Sequence, residues 1–183
     1  MHYSNLVLIP ANGKDIDGKK QSVDKLVEAA MGPHEEDGGF WDWYQIGGRW
    51  TGALDGYDPG GDPDNQYKCD LCNGTGKRND EIGKKHRETD PSYGCNGCNG
   101  TGTAIQWPTG FKRHPGDIMP VSKLTEEQLK RFYRVITPWG KFENERFEPW
   151  RKKDKFRSLD MPTVEWMKEE FKDYVCVVVD NHS

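Results

Sequence analysis

Cys69-Asp-Leu-Cys72-Asn-Gly-Thr-Gly76 and Cys95-Asn-Gly-Cys98-Asn-Gly-Thr-Gly102 are two copies of one eight-residue pattern, and their reading decides how this 183-residue chain is organised. A Cys-x-x-Cys pair lets two thiolates from one tight turn hold the same ion, and a second pair completes a tetrahedral shell. The expectation is one structural zinc ion held by Cys69, Cys72, Cys95 and Cys98, with no position left for water or substrate. Gly74, Gly76, Gly100 and Gly102 can take the positive φ that folds the backbone back and aims its N–H groups at the sulfurs. Asn73 and Asn99 tolerate the left-handed region. Four thiolates around Zn²⁺ leave a charge of −2, which the flanking Lys68, Lys77, Arg78 and Lys84 are placed to offset. Disulfides are the alternative, and they need an oxidising compartment. The opening Met1-His-Tyr-Ser does not resemble a secretory leader, so a cytoplasmic location is expected, the host cytoplasm if the chain is phage-encoded.

At these residues the chain resembles the cysteine-rich region of the DnaJ co-chaperone family, whose repeated unit is Cys-x-x-Cys-x-Gly-x-Gly. The resemblance covers residues 67–104, with two units where that family carries four and binds two zinc ions. The family's co-chaperone activity also relies on a helical domain with a His-Pro-Asp tripeptide. Here the nearest string is His114-Pro-Gly-Asp117, interrupted and outside any helical pattern. The resemblance therefore implies the zinc hairpin and its four ligands, not the co-chaperone activity. Because the family's region contacts unfolded polypeptide, it also implies a protein-binding role.

Outward from the hairpin, the composition is polar: 33% hydrophobic, 31% charged, mean hydropathy −0.96. Seven Trp, seven Tyr and seven Phe are gathered in a few segments, which predicts a core built on large rings. A net charge of −4 argues against general attraction to phosphate, and no stretch reaches membrane-spanning length.

Leu6-Val-Leu-Ile9, closed by Pro10, reads as a buried strand. Val23, Leu26, Val27 and Ala30 keep helical spacing behind Ser22 and before Gly32-Pro33, predicting a helix over 22–31. Residues 40–46 read as a second strand, 47–65 as a long loop, 103–107 as a strand and 117–121 as an edge strand containing Pro120. Thr125 and Gln128 form a capping box with Leu124 and Leu129 as staple, and Leu129, Phe132, Tyr133 and Ile136 predict a helix continuing to Pro138. Residues 139–160 read as irregular. A helix over 162–174 precedes the apolar strand Val175–Val179, where Cys176 packs as a small hydrophobe. The sum predicts an α+β fold: a mainly antiparallel sheet, terminal strands near its centre, and helices on one face, with ferredoxin-like the nearest named arrangement. The body is expected over 1–66 and 105–183, with the hairpin inserted at 67–104.

A second motif is Asp42-Trp-Tyr44-Gln-Ile-Gly47-Gly48-Arg49-Trp50-Thr-Gly52. Gly-Gly allows close backbone approach, and an Arg framed by tryptophans can clamp a base, carboxylate or phosphate. A ligand site made of Tyr44, Gly47, Gly48, Arg49, Trp50, Asp180 and His182 is one reading; a turn with core tryptophans and a locally paired Arg49 is the other. The stretch also resembles one in uncharacterised phage and bacterial proteins of similar size, several ending in an apolar strand followed by Asp-x-His. No Walker loop, dinucleotide fingerprint or nucleophile elbow occurs, and His34-Glu-Glu-Asp37 lacks zincin spacing. The basic run Arg151–Arg157 is a candidate nucleic-acid patch, though Glu143, Glu145 and Glu148 precede it. A non-catalytic zinc-stabilised protein that binds a protein partner is the leading expectation, such as a phage-encoded modulator or inhibitor of a host protein. The alternatives are a nucleotide or small-molecule binder or enzyme using Arg49, Tyr44, Asp180 and His182, and nucleic-acid binding through the hairpin and residues 151–157.

Overall fold

The computed structural model describes residues 1–34, 41, 43–143 and 159–182. The basic run 151–157, Phe40, Asp42 and most of the His34–Asp37 string lie outside the described residues. The chain divides into two compact units, Met1–Tyr57 with Arg113–Ser183, and Asp58–Lys112.

The larger unit is built on the two apolar runs. β1 (His2–Pro10) and β9 (Tyr174–His182) pair antiparallel over their full length, from His2 opposite His182 to Pro10 opposite Tyr174. They occupy the middle of a seven-stranded sheet of order β2-β9-β1-β6-β7-β8, with β5 also on β9. Here β2 is Trp43–Ile46, β5 Ile118–Pro120, β6 Arg134–Thr137, β7 Gly140–Glu143 and β8 Leu159–Asp160. Most pairings are antiparallel; β1–β6 and β7–β8 are parallel.

Strand alternation sends neighbouring residues to opposite faces, and both faces are apolar here. Leu6, Leu8, Cys176 and Val178 join one buried cluster with Leu129, Val164 and Met167; Val7, Ile9, Val177 and Val179 join another with Leu26, Val27 and Met31. Thus α1 (Val23–Met31) covers one face, while α3 (Glu126–Leu129) and α4 (Val164–Glu170) cover the other. The α+β class and the mainly antiparallel sheet are as expected. The placement of helices on a single face is corrected, because continuous apolar runs in β1 and β9 leave two faces to cover; the ferredoxin-like arrangement is not shown.

Local signals set the helix starts. Ser22, Thr125 and Thr163 each accept a hydrogen bond from the backbone N–H three residues on, and the Thr125–Gln128 box closes reciprocally. The predicted continuation of α3 to residue 137 fails. Phe132, Tyr133 and Ile136 are buried as expected, but Val135-Ile136-Thr137 is β-branched and pairs in parallel with β1 as β6. Arg134, also buried, stands over the Tyr3 and Tyr133 rings (4.9 and 4.3 Å) and meets Glu143 at 2.5 Å.

The smaller unit holds a two-stranded sheet, β3 (Gln66–Lys68) against β4 (Thr103–Ile105), and α2 (Glu81–Thr89). α2 was not visible as an apolar stripe because it has none: Gly83 is its only buried residue, and Asp80 caps it through the Gly83 N–H at 2.9 Å.

Candidate metal centre

The two knuckles are nearly superposable in their bonding. In the first, Gly74 N–H donates to the Cys69 carbonyl (3.1 Å) and Thr75 N–H to the Cys72 carbonyl (3.1 Å); in the second, Gly100 N–H donates to Cys95 and Thr101 N–H to Cys98 (both 3.0 Å). Asn73 and Asn99 (φ 53° and 49°) are the two non-glycine residues with positive φ among the described residues. The threonines do work that the cysteine spacing did not announce. The Thr75 hydroxyl donates to the Cys72 carbonyl (2.7 Å) and accepts from Lys77 N–H (3.3 Å), while Thr101 does the same between Cys98 (2.7 Å) and Thr103 (3.2 Å).

Each knuckle also closes the other. Cys69 N–H donates to the Gly102 carbonyl (2.9 Å), and Cys95 N–H to the Gly76 carbonyl (2.7 Å). Both glycines have positive φ, and a Cβ on either would fall on a carbonyl oxygen, that of Gly100 for Gly76 and that of Gly74 for Gly102. This crossed exchange explains why the pattern extends to the last glycine of each repeat.

The four sulfurs converge. All four cysteines are buried, and their ligand atoms lie within 4.8 Å of one another. Cys69 Sγ stands 3.9 Å from Cys95 Sγ, and Cys72 Sγ 3.7 Å from Cys98 Sγ. A disulfide would need about 2.05 Å, and all four are free. A tetrahedron with metal–sulfur bonds of about 2.3 Å has edges of about 3.8 Å, so the donor set fits one metal ion in both chemistry and spacing. Gly102 N–H also donates to Cys98 Sγ at 3.2 Å, as metal thiolates commonly require. Burial pushes the Cys95 thiol up to about 11; against the same burial, the Gly102 N–H and the neighbouring sulfurs draw Cys98 down to about 7.

Arg78, expected near the thiolates as a counter-charge, is instead bound through Nε to Asp80 (2.7 Å) and through Nη1 to Asn96 (3.3 Å). His86 stacks on Tyr93, with ring centroids 4.6 Å apart.

The second sequence motif sits on the larger unit. Gly47 (φ 77°) and Gly48 (φ 56°) turn the chain out of β2 into a short 3-10 turn, Gly48–Trp50. The turn rests on two buried carboxylates. Asp180 Oδ2 accepts from Arg49 N–H (3.0 Å), and Asp117 accepts from Gly52 N–H (2.8 Å) and the Thr51 hydroxyl. Burial pushes the Asp117 carboxyl above its usual range. A Cβ on Gly48 would stand 2.6 Å from Asp180 Cβ, which accounts for the second glycine of the step. Trp50 packs against the core, and the Arg49 side chain is exposed.

The sequence-derived ligand set is therefore divided. Gly47, Gly48, Arg49 and Asp180 come together through the main chain, and His182 follows Asp180 on the same strand. Tyr44 alternates to the other face, against Trp41 and the α1 cluster. The residue that sequence reasoning missed is His2, whose Nδ1 meets Asp180 Oδ1 at 2.9 Å, 178 positions away in the chain. No family model matches the chain, and searches of curated proteins and of solved structures return no match. Among the described residues no helix is long and apolar enough to cross a membrane.

Proposed function

We propose that the chain is a zinc-stabilised, non-catalytic binding protein that uses its Cys₄ unit to engage a protein partner. One observation carries this reading: the smaller unit has its bulky apolar side chains on the outside. Its buried cluster consists of the four cysteines, with Ala104 packed against them. Tyr67, Leu71, Ile82, Ile105 and Trp107 are exposed, Trp107 to 76%. An ion at the centre replaces the hydrophobic core that a unit of this size otherwise needs, which frees these side chains for contact with another molecule. Aromatic and aliphatic anchors of this kind carry most of the energy in protein interfaces. Zinc suits the site because four thiolates at tetrahedral spacing leave no open position, which points to a structural ion. If the chain is phage-encoded, the partner is a host protein and the chain acts as its modulator or inhibitor.

The test is cross-linking in host lysate with the full chain and a Leu71→Ser, Ile105→Ser, Trp107→Ser variant, after checking that the variant still holds one zinc. Loss of a specific cross-linked protein in the variant supports the reading. An identical set of cross-linked proteins from both chains refutes it.

A further inference from the structure

Three strands bring an unusual polar group to one end of the larger unit's sheet. Across β2, β9 and β1, Trp43, His182 and His2 stand in one row, and Gln45, Asp180 and Ser4 stand two residues along, on the same face. In this group His2 is wedged edge-on between Trp43 (centroids 5.7 Å, 89°) and His182 (5.1 Å, 67°). Its Nδ1 is fixed by Asp180, a carboxylate only 1% exposed whose other oxygen takes the Arg49 N–H. The ring itself is 24% exposed, and Nε2 has no hydrogen-bond partner among the described residues. A buried carboxylate on Nδ1 fixes the ring's orientation and tautomer and leaves Nε2 facing outward for chemistry. Arg49, anchored to the same carboxylate by its main chain, has an exposed guanidinium with no ion pair among the described residues.

We propose that His2 and Arg49 form a binding site for a phosphoryl group carried by a small molecule or nucleotide, with Asp180 as the positioning residue. A protonated phosphoryl group offers both charged oxygens and a P–OH, so it can accept from the guanidinium fork and donate its P–OH to Nε2, the acceptor that the Nδ1–Asp180 bond leaves. The Gly47-Gly48 step acquires a function by this account: it brings Arg49 onto the carboxylate that orients His2. The site is separate from the Cys₄ unit and does not depend on the function proposed for it.

The experiment is an NMR titration of the zinc-loaded full chain with inorganic phosphate, following the side-chain nitrogens of His2 and Arg49, with acetate and chloride titrated separately. Saturable shifts at both side chains with phosphate alone, and at least tenfold weaker binding in Arg49→Gln, are expected. Asp180→Asn should change the His2 tautomer, read from its ring nitrogen shifts, and weaken phosphate binding; Arg49→Gln alters only an exposed side chain and keeps the test valid if Asp180→Asn fails to fold. The proposal is overturned by a non-saturating response, by Arg49→Gln binding phosphate as the parent does, or by acetate or chloride giving the same response.

Discussion

Replacing Cys72 with Ser removes one of four sulfur donors, and the structure fixes both the size and the reach of the effect. Structural zinc contributes about 10–16 kcal/mol in small zinc modules. One donor of four is then worth about 3 kcal/mol, or about two orders of magnitude in metal affinity. The smaller unit has no reserve against that loss. An isolated two-stranded sheet is marginal in water, and a nine-residue helix such as α2 is shorter than the roughly 12 residues a helix needs to stand alone. The larger unit is different: among the described residues, fourteen buried on one face of its sheet and nine on the other are independent of the metal.

Hydrogen exchange with bound zinc measured in parallel is the assay. In Cys72→Ser the amides of Cys69, Gly74, Cys95 and Gly100, which donate across and within the knuckles, should lose protection, while those of β1 and β9 keep it. Cys176→Ser, in the buried cluster of the larger unit, should leave the zinc content at one equivalent. The reasoning is refuted if Cys72→Ser retains protected knuckle amides without metal. It is equally refuted if β1 and β9 open together with the knuckles.

Gly102→Ala places a Cβ against the Gly74 carbonyl at a residue with φ 84°; a chelator competition should read at least tenfold weaker zinc binding, with the urea midpoint of the larger unit unchanged. Gly48→Ala meets Asp180 at φ 56° and should cost about 1–3 kcal/mol in urea denaturation; an unchanged midpoint would show that the turn is not held against that carboxylate. Asp117 gives a pH signature. Burial raises its folded pKa, so the folded chain binds that proton more tightly than the unfolded chain; the contribution is present below the ordinary value near ~3.9 and is lost as pH rises through the raised one. Asp117→Asn should accordingly flatten the fall in urea midpoint above about pH 4, and a variant as pH-sensitive as the parent would contradict the assignment.

The features legible in the sequence were those whose cause lies within a few residues. The knuckles, the Ser22 cap and the Thr125–Gln128 box are local chemistry, and each lies where its spacing placed it. Burial was also legible where period was not: Phe132, Tyr133 and Ile136 are in the core, although a helical stripe and a turn running into a parallel strand place the same residues there. What stayed hidden depends on distant partners. Nothing near His2 marks it until β9 arrives with Asp180, and the apolar run of β1, which leaves two faces to cover, does not say which helix will cover which. α2 was hidden for the opposite reason, because a polar helix that buries only a glycine leaves no hydrophobic period to read.

That polar helix leads to a stricter test of how the knuckle unit is held. Cys69 and Cys95, like Cys72 and Cys98, are 26 residues apart, and most of that separation is an excursion carrying α2. The entropy of closing a flexible loop grows only logarithmically, about 0.6 kcal/mol per doubling of length, so the metal can hold together a long segment that does little for itself. The contacts that tie α2 back are few: the Asp80 cap, Arg78 to Asn96, and Arg87 Nη1 to the Arg78 carbonyl at 2.6 Å. They are hydrogen bonds among exposed or partly buried groups, each worth about 0.5–2 kcal/mol. Substituting residues 79–93 with a Gly/Ser segment of equal length should leave zinc at one equivalent, its affinity within about tenfold, and the Cys69 and Cys95 amides protected. A larger loss of affinity would mean that α2 braces the knuckles, and that the crossed bonds from Cys69 to Gly102 and from Cys95 to Gly76 do not suffice to pair them around the ion.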